Sequence, residues 1–465
     1  MKLLKTLPLA ILLAACANPH ITQTPNVDLP SWETLSLQQN EGKATAALGW
    51  REFFRDAQLQ RLIEVALQHN HDLRKAAINV EIVQQQWSIQ DSASLPTVVS
   101  TASTSKSHAR KTTGESYSVG VGMSNFELDF FGKTKALSEK ALNQYLATRE
   151  ARDSAQLSIV SAVAKTYYQL RTYQAQKALA TDVLKTREES YRLSKLQHQA
   201  GLLTDKDLLG VQSLIENAKA SLIEASRNEQ QAQNNLAQLI GQPLEKLNLP
   251  EQSALSGKIQ SAFAPLSIPT GMQSSILLNR PDIRQAEYQL KAAGADITAA
   301  RAALYPSISL SSQLGFSSTD LSNLLNANAF SAAITPSLML PIFDRDRLHR
   351  AVHIAESAEK IAVENYQAAV QSAFYEVANT LIAKESLSEQ YQAVKNANDA
   401  SQKRLKIEQA RLQAGVSSVL DILDAQRESY SSAMGLLGIE LQMRLNEIDL
   451  YKATGGGLSE MGVKP

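Results

Sequence analysis

Two very long runs without glycine or proline constrain the fold of this 465-residue chain more than any other feature. One run covers residues 133–200 and the other covers residues 342–414. Glycine and proline interrupt helices, so each run predicts one continuous helix. At 1.5 Å per residue, such a helix is roughly 100 Å long, several times the diameter of a small globular domain.

Each long run is followed by a glycine and then by a shorter returning helix. The first run ends at Gln199-Ala200-Gly201, and the second ends at Gln413-Ala414-Gly415. Glycine is favoured just past the end of a helix, so both sites predict a tight turn. An isolated pair of such helices would leave its apolar positions in water, so these hairpins are expected to pack laterally against others.

The segments before the long runs have a different hydrophobic period. Tyr117, Val119, Val121 and Met123 alternate with serine and glycine, as do the apolar residues of 307–341. Period two predicts strands, in hairpins at about 97–128 and 307–341, with a polar loop at 108–114 in the first. Strands of about ten residues suit a tilted crossing of a bilayer. Pro336 predicts a bulge or kink in the last strand.

The two halves of the chain repeat one another. Asp72-Leu73-Arg74 recurs as Asp282-Ile283-Arg284, and the displacement drifts only from 210 here to 214 at the two Gln-Ala-Gly turns. Strands and turns that recur in one order indicate an internal duplication. The expected organisation is a signal peptide (1–15), a lipidated extended arm (16–49), a first repeat (50–240, with helical hairpin 133–240), an irregular connector (241–271), a second repeat (272–457, with helical hairpin 345–453) and a tail (458–465).

The number of strands has a consequence for assembly. Four strands cannot close a barrel, and open sheet edges are not tolerated in hydrocarbon. Two chains would give eight strands with a filled interior, whereas three would give twelve with an open lumen, which the small serine and glycine face favours. The expected fold is a mixed α/β membrane protein, mostly α and internally duplicated. Its trimer would form a 12-strand β-barrel continuous with a 12-helix α-barrel, which the resemblance given below places in the outer membrane and the periplasm respectively.

The N-terminal residues predict export. Lys2 and Lys5 precede a short apolar run, and Leu13-Ala14-Ala15-Cys16 places small residues before the only cysteine of the chain. This is the pattern of a bacterial lipoprotein, with lipidation at Cys16, and Ala17 favours sorting to the outer membrane. The 46 basic and 46 acidic residues balance, which argues against a nucleic-acid partner.

Several segments resemble one family of membrane proteins. With the lipoprotein pattern, residues 126–132, 280–284, 423–427 and 450–457 are similar to TolC-like outer-membrane efflux channels of the lipoprotein branch. The resemblance covers nearly the whole mature chain. It implies a homotrimer in outer-membrane lipid that docks through a periplasmic adaptor protein to an inner-membrane, proton-driven transporter. The chain would be a passive exit duct for drugs and other small amphiphilic molecules, without a cofactor.

Two carboxylates after the second turn are the predicted gate. Asp421 and Asp424 are spaced i, i+3, hence on one helix face, and the resemblance places a carboxylate ring at the periplasmic constriction. Three copies would raise one another's pKa values. The alternative is that Asp421 only complements the helix dipole. In the first repeat Asp207 corresponds to Asp421, but Gly210 replaces the second acid, so only the second hairpin is predicted to gate.

The tips are the predicted adaptor contacts, although both also match plain helix caps. Relatives that latch the tip with a tyrosine and an arginine differ from this chain, which has Leu412 and Ser417 there, so Arg411 or Arg404 would have to substitute. The predicted contact residues are Gly201, Leu202, Leu203 and Thr204 in the first tip, and Gly415, Val416, Ser417 and Ser418 in the second.

Other functions fit the sequence less well. His349 and His353 are spaced i, i+4 but lack a third ligand, and there is no phosphate loop or nucleophile elbow, so neither a metal site nor an enzyme is predicted. The same fold serving protein secretion or metal efflux remains an alternative. A periplasmic adaptor lipoprotein would have one hairpin flanked by lipoyl-like segments. A purely structural periplasmic coiled coil would leave the alternating strands unexplained.

Overall fold

A computed structural model gives the fold of the chain. Cys16, most of the expected arm and connector, and the C-terminal tail lie outside the residues that it describes. None of the helices in the described ranges has an apolar stretch long enough to cross a membrane. The described residues are 20, 22–25, 49–109, 112–247, 274–414 and 416–456.

The described chain contains eight α-helices and four strands, joined by short 3₁₀ segments. The two longest helices, α4 and α7, have 67 residues each, and their returning partners α5 and α8 have 36 and 35. In chain order the elements are α1 (Trp50–Phe53), α2 (Ala57–His69), α3 (His71–Ser92), β1 (Val98–Ala109), β2 (Thr112–Leu128), α4 (Lys133–Gln199), α5 (Asp205–Ile240), α6 (Pro281–Ala302), β3 (Ser307–Ser318), β4 (Phe330–Met339), α7 (Arg347–Gln413) and α8 (Val419–Ala453).

The second long helix starts later than its glycine-free run suggested. Arg345 and Asp346 have φ values of +57° and +63°, in the left-handed region that stops a helix from extending backwards. The Asp344 carboxylate then accepts a hydrogen bond from the Leu348 backbone N–H at 3.0 Å. Because of this turn, α7 begins at Arg347 and not at 342 or 345.

The chain divides into two compact units, each assembled from three stretches of sequence. The first, here called the strand unit, contains the whole sheet. The second, the hairpin unit, contains both helical turns. The strand unit comprises Met1–Val27, Ile78–Ala151 and Asp282–Ala369, and the hairpin unit comprises Asp28–Ala77, Arg152–Pro281 and Val370–Pro465.

The strand unit holds one antiparallel sheet in the order β1-β2-β3-β4. The predicted polar loop at 108–114 is wrong, because pairing continues to Ala109 opposite Thr112. Near this end the Lys106 ammonium pairs with the Glu115 carboxylate across the two strands at 2.5 Å. An opposite-charge pair of this kind supports the ladder where a loop was expected.

A bulge in β2 keeps the apolar face continuous. Met123 pairs with Ser312 and Phe126 pairs with Leu310, so β2 has one extra residue between these pairs. Asn125, at φ +51°, takes up this residue, and its N–H donates to Ser311 Oγ at 3.0 Å. Because side chains alternate with period two, Phe126 would otherwise lie on the opposite face.

The irregularity predicted at Pro336 is not observed. Pro336 pairs with Leu310 in a register that runs unbroken from Ser307 to Phe316 of β3. In the described sheet β4 has a neighbour on one side only. Within the single chain, a proline on the free side of this strand breaks no ladder bond.

Two facing glycines bring the central strands close together. Gly120 of β2 lies directly opposite Gly315 of β3. A Cβ atom on Gly315 would lie 2.5 Å from the Gly120 Cα, and one on Gly120 would lie 2.6 Å from the Leu314 carbonyl oxygen. Real Cβ atoms do not approach backbone so closely, so glycine is required at this crossing.

The core of the hairpin unit includes a stack of aromatic rings. Phe53 of α1 is parallel to Tyr451 of α8 with ring centroids 4.3 Å apart, and both side chains are fully buried. Nearby, the Tyr167 hydroxyl of α4 donates to the Asp56 carboxylate at 2.7 Å. Burial, and then the charge of Asp56, raise the pKa of Tyr167 above its ordinary value. These contacts hold α1 and α2 against the long helices.

Candidate functional site

The first helical turn is a capped reversal with an exposed leucine. Gly201 has φ +74°, its N–H donates to the His198 carbonyl, and the Leu202 N–H donates to the Gln197 carbonyl, both at 2.9 Å. These two bonds define a Schellman motif. Thr204 then caps α5 by accepting from the Asp207 N–H at 3.3 Å. Leu202 is 79% exposed, so the turn presents an apolar side chain to solvent.

The second turn has the same plan with a stronger N-terminal cap. The Val416 N–H donates to the Arg411 carbonyl at 3.0 Å, and the predicted tip residue Gly415 lies outside the described residues. Ser418 Oγ accepts from the Asp421 N–H at 3.2 Å, while the Asp421 carboxylate accepts from the Ser418 N–H at 3.0 Å. This is a capping box.

Asp421 is bonded to the start of its own helix. Its carboxylate also accepts from the Ser418 hydroxyl at 2.7 Å and from the Ser417 hydroxyl at 3.4 Å. The hydrogen bonds from Ser418 lower the pKa of Asp421 in this single chain. The carboxylate therefore stays charged to a pH below the usual range for aspartate. Asp421 therefore caps its own helix and at the same time places a negative charge at the turn.

Asp424 instead connects the two helices of the second hairpin. It accepts from Arg404 of α7 at 3.1 Å and from Arg427 at 2.6 Å. Arg404 also pairs with Glu428. The hydrogen bonds to Asp424 and Glu428 raise the pKa of Arg404. Of the two arginines that were candidates for a latch, Arg404 makes a pair across the hairpin.

The other candidate arginine stays within its own turn. Arg411 contacts Glu408 at 3.3 Å and reaches the Val416 carbonyl at 3.5 Å. Glu428, which was not predicted from the sequence, is a second carboxylate partner of Arg404 beside Asp424. Its spacing of i+4 from Asp424 is a signal that could have identified it, since both then face one neighbouring helix.

A small apolar core lies beside the two predicted gate residues. Ile422 and Leu423, between Asp421 and Asp424, are buried with Val211 of α5. Tyr191, Leu214 and Leu405 pack against this cluster. The two apolar residues of α8 are therefore fixed in this core, and the two aspartates that flank them in sequence lie at the edge of the core.

No group of three histidine, cysteine, aspartate or glutamate side chains within the described ranges is arranged to hold a metal ion. His353 of the predicted i, i+4 pair lies 3.4 Å from Glu356 instead.

The sequence model of the outer membrane efflux protein family matches the chain twice, over residues 62–242 and 272–456. Each match covers one of the repeated halves. The chain belongs to the outer membrane efflux protein family. Members of this family are transport proteins of the outer membrane, and this chain is one of them.

Individual members are similar to the chain over nearly its whole length. The probable efflux pump outer membrane protein TtgC of Pseudomonas putida is 35% identical over 97% of this chain and 94% of its own length. The cation efflux system protein CusC of Escherichia coli O157:H7 is 36% identical over 97% and 98%. The open-state crystal structure of the Neisseria gonorrhoeae MtrE outer membrane channel superposes with a TM-score of 0.87 at 37% identity, covering 95% of this chain and 99% of MtrE.

Proposed function

We propose that this efflux-family protein is the passive outer-membrane exit duct of a tripartite multidrug efflux system, gated at its periplasmic tip. One observation carries the proposal: the chain has both a four-stranded antiparallel sheet and two 67-residue helices, in a fold similar to that of the MtrE channel. A channel of this kind uses no energy of its own, so the transport step is driven by a pump in the inner membrane.

The proposed assembly is a homotrimer. In the described sheet β1 and β4 each have one free edge, and every residue of β4 is exposed. Lipid offers no hydrogen bonds to such edges, so β4 of one copy is proposed to pair with β1 of the next. Three copies of four strands close a twelve-stranded barrel, and three copies of four long helices form the periplasmic tunnel.

The proposed gate is the ring of Asp421 and Asp424 from three copies. Asp424 is held by Arg404 and Arg427, and Asp421 stays charged because Ser418 lowers its pKa. Six carboxylates around one opening would attract cations, and each would oppose the ionisation of the others. Some relatives close the tip with a tyrosine and an arginine that this chain lacks. We propose that Arg404 takes their place as the latch.

The proposed anchor and partners follow from the sequence and the family. Cys16 would carry the lipid that holds the arm to the outer membrane, with residues 1–15 removed as the signal peptide. The tips at Gly201 to Thr204 and Gly415 to Ser418 would dock the periplasmic adaptor, which connects to the inner-membrane, proton-driven transporter.

The cargo is proposed to be drugs and other small amphiphilic molecules. The similarity to ArpC of Pseudomonas putida, an antibiotic efflux pump outer membrane protein, supports this assignment. The similarity to CusC, a cation efflux protein, supports cation efflux as the second candidate. Drug and cation sensitivity of a strain lacking this protein would separate the two, since only one class of compound should become more toxic.

Cross-linking and conductance test the proposal on the purified full-length protein. We expect trimers after cross-linking in detergent and discrete conductance steps in planar bilayers. The conductance should rise when the Asp421 and Asp424 charges are removed. A monomer without conductance contradicts the channel proposal.

Charge at the tips is expected to abolish docking without loss of the trimer. Leu202→Glu and Val416→Glu place a carboxylate on side chains that are 79% and 63% exposed. Drug resistance should fall to the level of a strain without the protein, because an apolar contact surface does not accept an unpaired charge. Asn234→Glu, at an exposed polar position of α5 away from the tips, is the control. Retained resistance in both tip variants would exclude docking there.

A further inference from the structure

A cavity in the hairpin unit contains a buried arginine that the proposed gate and tips do not use. The cavity has a volume of ≈ 180 Å³ and lies between α4, α5 and α8. Its wall combines hydrogen-bond donors with apolar side chains. The residues that matter for its chemistry are Arg187, Asn217, Arg427, Tyr430, Ala180 and Val183.

Arg187 is buried, and only one hydrogen bond from its guanidinium group is observed in the described part of the chain. The residue is 6% exposed, and one guanidinium nitrogen donates to the Leu214 carbonyl at 2.7 Å. Its Nε is buried and has no hydrogen-bond partner in the described part of the chain. No carboxylate within the described ranges pairs with it. Burial lowers the pKa of Arg187, and Tyr430 opposes this effect.

The charge at this position is not required by the helical hairpin itself. At the displacement of 214 that relates the two turns, Arg187 corresponds to Ser401. Ser401 is satisfied by a 2.5 Å hydrogen bond to Ser432 of the returning helix. The second hairpin therefore has a short hydroxyl pair, and no guanidinium, at the corresponding position. An unpaired buried guanidinium costs stability, so its presence in one repeat alone indicates a ligand.

The groups around Arg187 define the class of that ligand. Arginine presents a planar fork of donors that matches a carboxylate, and the Asn217 amide and Tyr430 hydroxyl supply further donors. Arg427 adds positive charge, part of which Asp424 neutralises at 2.6 Å. Ala180 and Val183 offer an apolar wall beside the charge.

We propose that this cavity is a binding site for a small organic carboxylate with an apolar body, with Arg187 as its counter-ion. The site deepens the proposed efflux function, because such anions belong to the amphiphilic solutes assigned to the duct. Its existence is tested by binding to the purified protein, whereas the duct is tested by conductance. Failure of one test therefore leaves the other intact.

Isothermal titration of the purified full-length protein with sodium benzoate tests the site. Benzyl alcohol serves as the uncharged analogue, and sodium chloride sets an equal ionic strength. We expect saturable binding of benzoate and none of benzyl alcohol. Arg187→Met should weaken benzoate binding by about tenfold or more, the scale of a charge-assisted hydrogen bond.

Two further variants keep the test decisive. Arg192→Met removes an exposed arginine of the same helix, paired with Glu189 at 2.7 Å, and should leave benzoate binding unchanged. Arg187→Lys keeps the charge but loses the planar fork, so its affinity should lie between those of wild type and Arg187→Met. Absence of benzoate binding to the wild type, or equal binding by wild type and the cross-link-verified Arg187→Met trimer, would overturn the proposal.

Discussion

Replacing Asp421 and Asp424 together by alanine is expected to increase single-channel conductance severalfold and to make cells permeable to vancomycin. The double change removes the proposed carboxylate ring and the Asp424 contact that connects α8 to Arg404 at 3.1 Å. Arg404 keeps its pair with Glu428, so the hairpin itself should remain folded. Planar-bilayer recordings and vancomycin susceptibility measure the two effects.

Two control variants separate gating from local unfolding. Asp207→Ala removes the corresponding carboxylate of the first hairpin, which accepts a hydrogen bond from the Thr204 hydroxyl at 2.7 Å, and should loosen that turn without opening the channel. Glu428→Ala removes the other partner of Arg404 but none of the predicted ring. Conductance that is unchanged in the double variant, or raised equally in the Asp207→Ala control, would exclude the gate.

Gly315→Val is expected to abolish assembly of the protein in the membrane. A Cβ atom at residue 315 meets the Gly120 Cα at 2.5 Å, so β2 and β3 must separate and lose ladder hydrogen bonds. Each unpaired backbone group in hydrocarbon costs several kcal/mol. The yield of cross-linkable trimers in outer-membrane fractions measures this loss, which should be nearly complete.

Gly210→Ala is the matched control for this substitution. Gly210 lies within α5, and no other atom lies within 4 Å of a Cβ added there. Alanine favours a helix over glycine by about 1 kcal/mol, so the trimer yield should be unchanged or higher. Normal trimers of Gly315→Val would show that the two strands can separate without consequence, contrary to the close approach of Gly120 and Gly315.

The regular elements were predictable because their periods are long and uninterrupted. The run 133–200 predicted α4, which covers Lys133–Gln199, and alternation predicted the four strands. The bulge at Asn125 was not predicted, because it depends on the register between β2 and β3, which are far apart in sequence. Pro336 was misread for the same reason, since its effect depends on which side of the strand has a neighbour.

The chemistry of the turns was only partly predictable. Ser418 and Asp421 have the spacing of a capping box, which is a local pattern and can be recognised from sequence. The contact between Arg404 and Asp424 joins two helices, and the burial of Arg187 involves three. In the sequence Arg187 looks like a member of a solvated helix face, and nothing distinguishes Arg404 from Arg411 as the candidate for a latch. Only packing shows that one is paired across a hairpin and the other is enclosed.

The pairing of β2 with β3 has an evolutionary consequence. It joins the strand hairpins of the two repeats within one chain, in the same antiparallel direction in which β1 pairs with β2 and β3 with β4. A half-length ancestor would have formed this contact between separate, identical subunits, and any mutation would have changed both turns at once. Fusion released them from that symmetry. Arg404 with Glu428 in one repeat, and Arg187 in the other, are the divergence that this freedom allows.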